Sequence, residues 1–192
     1  MEAIYSTAML RYAIDKRASR FSVQAFVTGI LSSMGHNPQI GIHDFSGEAS
    51  FSPDTLEANG FHLLINASSL SVLDDVSDKD RREIERLMHE QVLETAKHPK
   101  IVYSAPTVTV TKMGDSLYSA ALDGLLMLHG VTASEPVTAR VAVFGDILRA
   151  SGNFALSQTD YGIKLVSVAG GALKVKDELK FSFEIVARRN KS

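Results

Sequence analysis

Apolar and polar side chains alternate along much of this chain. Leu179, Phe181, Phe183, Ile185 and Ala187 are interleaved with Lys180, Ser182, Glu184 and Val186. A period of two turns successive side chains to opposite faces, so one face is buried and the other mostly meets water. Phe21, Val23, Ala25 and Val27 repeat the pattern, with Phe26 on the other face, which predicts a strand covered on both sides. Val137, Ala139, Val141 and Val143 form a third set. Residues 40–51, 61–67, 100–105, 107–112, 117–128 and 149–157 complete about nine strand-like segments. Within 40–51 the phase slips between Ile42 and Phe45, as a β-bulge would make it. Turn signals at Met113-Gly114-Asp115, Gly145-Asp146 and Gly170-Gly171 separate the segments. Regular strands with short turns point to an antiparallel barrel or sandwich.

One stretch follows the helical period. Over residues 78–96, Ile84, Leu87, Met88 and Val92 share a face. Ser77 and Asp80 form a capping-box-like start, and Pro99 ends the segment. The expectation is an amphipathic helix against one side or end of the sheet.

Composition narrows the chemistry. The 192 residues, 45% hydrophobic, suit a single domain spanning residues 1–192. The absence of cysteine excludes disulfides and thiol chemistry. A net charge of −2 gives no basic field for nucleic acid. No apolar run reaches the roughly 18–20 residues of an integral membrane helix. The first ten residues carry Glu2 and no Lys or Arg, so they do not read as a secretory signal. The expected location is cytoplasmic, or periplasmic if a leader has been removed.

Catalytic motifs are missing. There is no G-x-S-x-G elbow, S-x-x-K, Walker loop or G-x-G-x-x-G. His89-Glu90 begins like the zinc-protease signature, but Leu93 stands where the second histidine belongs. No H-x-H pair occurs, and neither a metal site nor a cofactor is expected. Three loops carry polar or aromatic residues suited to a binding mouth: 33–38 with His36 and Asn37, 129–132 with His129, and 160–163 with Tyr161. The alternative for the first two is an ordinary turn, and for the third that Tyr161 fills core. Ala25, Gly29, Ala49, Ala67, Ala121 and Ala139 recur within the alternating faces. If they point inward they leave room for a ligand; otherwise they pack opposite large neighbours.

Taken in order, several stretches resemble the YceI family, the lipocalin-like polyisoprenoid-binding proteins. They are Ile14-Asp15 followed by Ser19-Arg20-Phe21-Ser22-Val23, Phe45-Ser46-Gly47 with Phe51, and Pro99-Lys100-Ile101-Val102-Tyr103-Ser104 after the helix. Gly124 through Thr132, containing His129-Gly130-Val131-Thr132, and Asp160-Tyr161-Gly162-Ile163 complete the set. The resemblance implies an all-β fold: an extended antiparallel β-barrel, lipocalin-like, of about eight strands, with one packed helix. It also implies an apolar tunnel for a long-chain isoprenoid or similar amphiphile, often in a homodimer. The family often has an arginine where this chain has Gln158, and a histidine where it has Ala25-Phe26. If those cations meet a headgroup phosphate, this chain is expected to prefer a neutral or smaller ligand.

The expected function is therefore non-enzymatic binding or transport of a polyisoprenoid, quinone-type or fatty lipid. Phe21, Val23, Leu63, Ile65, Leu125, Met127, Phe181 and Phe183 are the candidate lining. His36, Asn37, His129 and Tyr161 are the candidate polar contacts at a mouth. Two alternatives stand beside this reading. One is a small hydrolase or isomerase with a His–carboxylate site at the mouth; the other is a stress-related scaffold without ligand.

Overall fold

The computed structural model describes residues 9–28 and 37–190. Its strands in chain order are β1 (Leu10–Ile14), β2 (Arg20–Gln24), β3 (Val27–Thr28), β4 (Gln39–Ile42) and β5 (Phe45–Ser52). After β6 (Glu57–Asn66) and β7 (Leu70–Val72) comes the helix α1 (Asp78–Leu87). The long strands β8 (Lys100–Lys112) and β9 (Leu117–Leu128) follow, then β10 (Val131–Ser134), β11 (Val137–Phe144) and β12 (Ile147–Ser157). The short β13 (Ser167–Val168) and β14 (Leu173–Val175) precede the last strand, β15 (Glu178–Arg189).

Eight strands close on themselves in the order β1-β5-β6-β8-β9-β11-β12-β15, with β15 returning to β1. Every pairing is antiparallel. The period-two pattern produces this ring: on β9, Tyr118, Ala120, Leu122, Leu126 and Leu128 are buried, while Leu117, Ala121, Asp123 and Leu125 are exposed. Segments 100–105 and 107–112 form one continuous strand, β8. Its register against β9 shifts between Ser104 and Thr107, so Pro106 sits in an irregularity where its missing N–H costs no ladder bond.

Along the edge opposite β12, the last strand serves two further partners. Ala187–Arg189 pair with β1, and Lys180–Glu184 pair with β2, which leads on to β4 and β7. At the handover, Ser19 substitutes for a strand backbone. Its buried Oγ accepts from the Val186 N–H at 2.9 Å and donates to the Val186 carbonyl at 3.1 Å. The expected phase slip in 40–51 is a break between β4 and β5 at His43-Asp44, with a further register shift between Ala49 and Phe51. The run 20–28 is likewise divided, into β2 and β3 at Ala25-Phe26.

Helix α1 starts where expected, with Ser77 Oγ accepting from the Asp80 N–H at 3.1 Å. It ends earlier, at Leu87, and a wider turn over Met88–Val92 continues it. No residue of α1 itself is buried; Met88 and Leu93 beyond it supply the buried anchor. What α1 covers is the free edge of β7. The Val72 N–H donates to Glu85 Oε1 at 2.9 Å, and Arg81 donates to the carbonyls of Val72 and, at 2.7 Å, Asp74. His89 Nε2 meets the Leu70 carbonyl at 3.0 Å. Side chains of one helix thus complete an edge strand that would otherwise invite pairing. Arg81→Ala is expected to cost about 1–2 kcal/mol of stability, in line with the loss of charge-assisted bonds from a half-buried donor. Amide exchange should speed up in 70–92 before the barrel. Equal acceleration throughout the ring would show that the helix is not a separate latch.

Candidate functional site

Inside the barrel lies a cavity of about 150 Å³ whose lining is almost entirely apolar. Two kinds of residue shape it. Ala49, Ala58, Ala120, Ala139 and Ala150 set the walls back. Phe61, Tyr103, Phe154, Phe181 and Phe183 project into the space. Phe154 and Phe181 are cross-strand partners whose rings stack 5.1 Å apart and 14° from parallel. Along β9 the lining runs from Tyr118 to Leu128. That is about ten residues, or roughly 33 Å of strand. The space is therefore long relative to its volume, a slit rather than a hollow.

Tyr103 is held across the ring's inner surface. Its hydroxyl donates to the Glu135 carbonyl at 3.0 Å, and burial pushes the phenol up to about 12. Its ring lies over Gly124: a Cβ there would come within 2.0 Å of the Tyr103 hydroxyl oxygen. Tyr161, buried beyond the lining, donates its hydroxyl to Glu135 Oε2 at 3.1 Å. Burial and nearby Asp160 raise the Glu135 carboxyl above the usual range, against the lowering effect of that hydrogen bond. The folded chain therefore holds this proton to higher pH than the unfolded chain. The associated stabilisation is complete below the unfolded value near 4.5 and is lost as pH rises through the folded value. Glu135→Gln is expected to flatten the fall in stability from pH 5 to 8 and to match or exceed the native chain at pH 8. Denaturant titrations at both pH values check this; a variant less stable at pH 8 would contradict it.

Of the residues proposed from sequence, Phe21, Leu63, Ile65, Phe181 and Phe183 border the cavity. Val23 is buried in the core but does not border it. Leu125 and Met127 are corrected: they lie on the outer face of β9, with Leu125 49% exposed. The run 125–128 is apolar on both faces, so it carries no phase of its own. Ser119 and Asp123, polar on the same face as Leu125, are the signal that sets the phase. Among the small residues, Ala49 and Ala139 border the cavity. Ala67 is buried away from it, Ala25 is half-buried away from it, and Ala121 is exposed. Gly29 and His36 lie outside the described residues.

The polar candidates do not converge on the cavity. Asn37 Oδ1 accepts from the Val27 N–H at 3.0 Å, and its carbonyl accepts from Gln24 Nε2 at 2.7 Å, so it staples its loop to β2 and β3. His129 bonds to Glu94 and to the Tyr161 carbonyl, at the end of the barrel where β9 stops. The residues that sequence reasoning missed are mainly Ala120, Ala150, Tyr103 and Phe154. All four stand in segments already recognised as strand-like, and their phase was the available signal.

A closed antiparallel ring around an apolar slit, with one helix on an edge, defines a lipocalin-like barrel. The chain belongs to the YceI-like family, whose domain model matches residues 12–187. No curated protein matches at the level of sequence. Burkholderia cenocepacia BcnA superposes with a TM-score of 0.65 at 16% identity, over 90% of this chain and 98% of that one. A polyisoprenoid binding domain from Saccharophagus degradans, implicated in plant cell wall breakdown, gives 0.66 at 15% identity over 93% and 98%. The Campylobacter jejuni YCEI protein gives 0.59 at 15% identity over 82% and 88%. At these identities the likeness is one of fold. No helix among the described residues is long and apolar enough to cross a membrane.

Proposed function

We propose that this protein binds a long-chain apolar ligand, a polyisoprenoid, quinone-type or fatty lipid, inside the barrel, and that it does so without catalysis. The observation that carries this reading is the slit inside the barrel, lined along its length almost without polar surface. Apolar burial favours a chain by about 0.8 kcal/mol per CH₂, so such a sleeve binds without dedicated polar chemistry. The Saccharophagus degradans domain, described as polyisoprenoid binding, supports the ligand class. A cavity of about 150 Å³ takes a group of roughly benzene size as it stands. A longer chain enters by turning aside the half-buried rings of Phe154, Phe181 and Phe183.

The hydrolase or isomerase alternative has one observation in its favour, the pairing of His129 with Glu94. Neither residue borders the cavity, so a substrate held there would not reach them.

Native mass spectrometry of freshly purified protein, followed by organic extraction, tests the binding reading. A discrete added mass that extracts as an isoprenoid or fatty species is expected. An apo mass unchanged after incubation with a polyisoprenol and with a long-chain fatty acid would sink the proposal. The same spectra count protomers and so test the expected homodimer.

A further inference from the structure

Three side chains from separate segments meet where β8 begins and β9 ends. Glu94 and His98 lie on the connection between the helical segment and β8, and His129 lies in the turn from β9 to β10. His129 Nε2 is 2.9 Å from Glu94 Oε2, and the imidazoles of His98 and His129 are 4.5 Å apart between centroids. One donor atom from each of the three residues lies within 4.8 Å of the other two.

The hydrogen bonds around His129 define what this cluster lacks. Its Nδ1 is 3.3 Å from the carbonyl oxygen of Tyr161, which can only accept, so Nδ1 carries a hydrogen and donates it. In the neutral ring that leaves a lone pair on Nε2, aimed at a carboxylate oxygen. Two electron-rich atoms at this distance need a cation between them, either a proton or a metal ion.

The second imidazole favours the metal. A proton would complete the Glu94–His129 pair and leave His98 without a role. The His98 ring makes no hydrogen bond among the described residues, yet it is held half-buried against His129. It also lies over the backbone of Gly130, where a Cβ would come within 2.8 Å of His98 Cε1. Glu94 and His129 both adopt left-handed backbone, with φ of 42° and 51°, a conformation that non-glycine residues rarely take.

We propose that Glu94, His98 and His129 bind a divalent transition-metal ion of the zinc class. The ligands would be Glu94 Oε2, His129 Nε2 and one ring nitrogen of His98. Two imidazoles and one carboxylate suit zinc, copper or nickel rather than magnesium or calcium, which take oxygen ligands. With metal–nitrogen bonds of about 2.0–2.1 Å, tetrahedral donors stand roughly 3.3 Å apart. The Glu94–His129 pair therefore opens slightly on binding, and His98 closes on it. The bond from His129 Nδ1 to the Tyr161 carbonyl is the outer-shell contact that fixes a ligating imidazole. Lys97 bonds the other Glu94 oxygen, Oε1, and its side chain is 70% exposed. It engages Oε1 and leaves Oε2 turned toward His129. Three protein ligands leave a position for water or an external ligand. None of this depends on what occupies the barrel.

Isothermal titration of chelator-treated protein with Zn²⁺ tests the site. One ion per chain is expected, with none of Mg²⁺. His98→Ala and Glu94→Gln should each weaken Zn²⁺ binding at least tenfold. His62→Ala, at an exposed position on β6, should leave it unchanged. Long-range ¹H–¹⁵N spectra of the native chain need no variant. On adding Zn²⁺, ring nitrogens of His98 and His129 should shift, and those of His43, His62 and His89 should not. Failure of the native chain to take up Zn²⁺, uptake undiminished in both variants, or shifts confined to the other histidines would overturn the proposal.

Discussion

Gly124→Val is expected to lower the thermal midpoint by roughly 10 °C. The Tyr103 ring occupies the space that any side chain at 124 would need: a Cβ would lie 2.1 Å from Tyr103 Cζ and 2.5 Å from Cε2. Neither partner can yield cheaply. Tyr103 is buried and tied through its hydroxyl to the Glu135 carbonyl, while the Gly124 carbonyl accepts from the Glu135 N–H at 2.8 Å. Overpacking costs about 1–3 kcal/mol, and the displaced hydrogen bond adds about 1 kcal/mol. A chain of this length loses about 2–4 °C per kcal/mol. The clash also predicts strong coupling: in a Tyr103→Ala background, Gly124→Val should cost far less than in the native chain. A Gly124→Val midpoint within about 2 °C of the native value would show that the ring swings aside freely.

Ala139→Phe is expected to abolish ligand capture while leaving a folded barrel. Ala139 on β11 faces the slit directly beside Ala120 on β9, so a phenyl ring there has no wall to replace and must enter the cavity. A space of about 150 Å³ is filled by one benzene-sized group. Affinity for an apolar chain should fall at least tenfold, by competition for the same volume. Ala121→Phe is the control, since Ala121 lies exposed on the outer face of β9. Lipid extracted from Ala139→Phe in the same yield as from the native chain would place the ligand outside the slit.

The strands were legible wherever their two faces differed in polarity. Residues 137–143 and 179–187 carry that contrast, and they stand in the barrel as read. Residues 125–128 lack it, and there the inward and outward assignments were exchanged. The helix start was legible because the Ser77 cap is a local contact. Its end was not: helical periodicity carries on past Leu87, while the backbone opens into a wider turn that buries Met88. The slit was legible only as a possibility, because an alanine leaves room or fills it according to what stands opposite. The cluster of Glu94, His98 and His129 was hidden in the sequence, since it is the β8–β9 pairing that brings together residues 35 positions apart.

The closure of the ring has a consequence for the order of synthesis. β15 is the final strand in the chain, and it bonds to β12, to β1 and to β2. Until it emerges from the ribosome, β1 and β12 lack their common neighbour and the apolar lining lies open along one side. The nascent chain therefore displays to chaperones, membranes and lipids the surface that the finished molecule conceals. The last strand then closes over that lining and brings with it Phe181 and Phe183, two of the rings that narrow the slit.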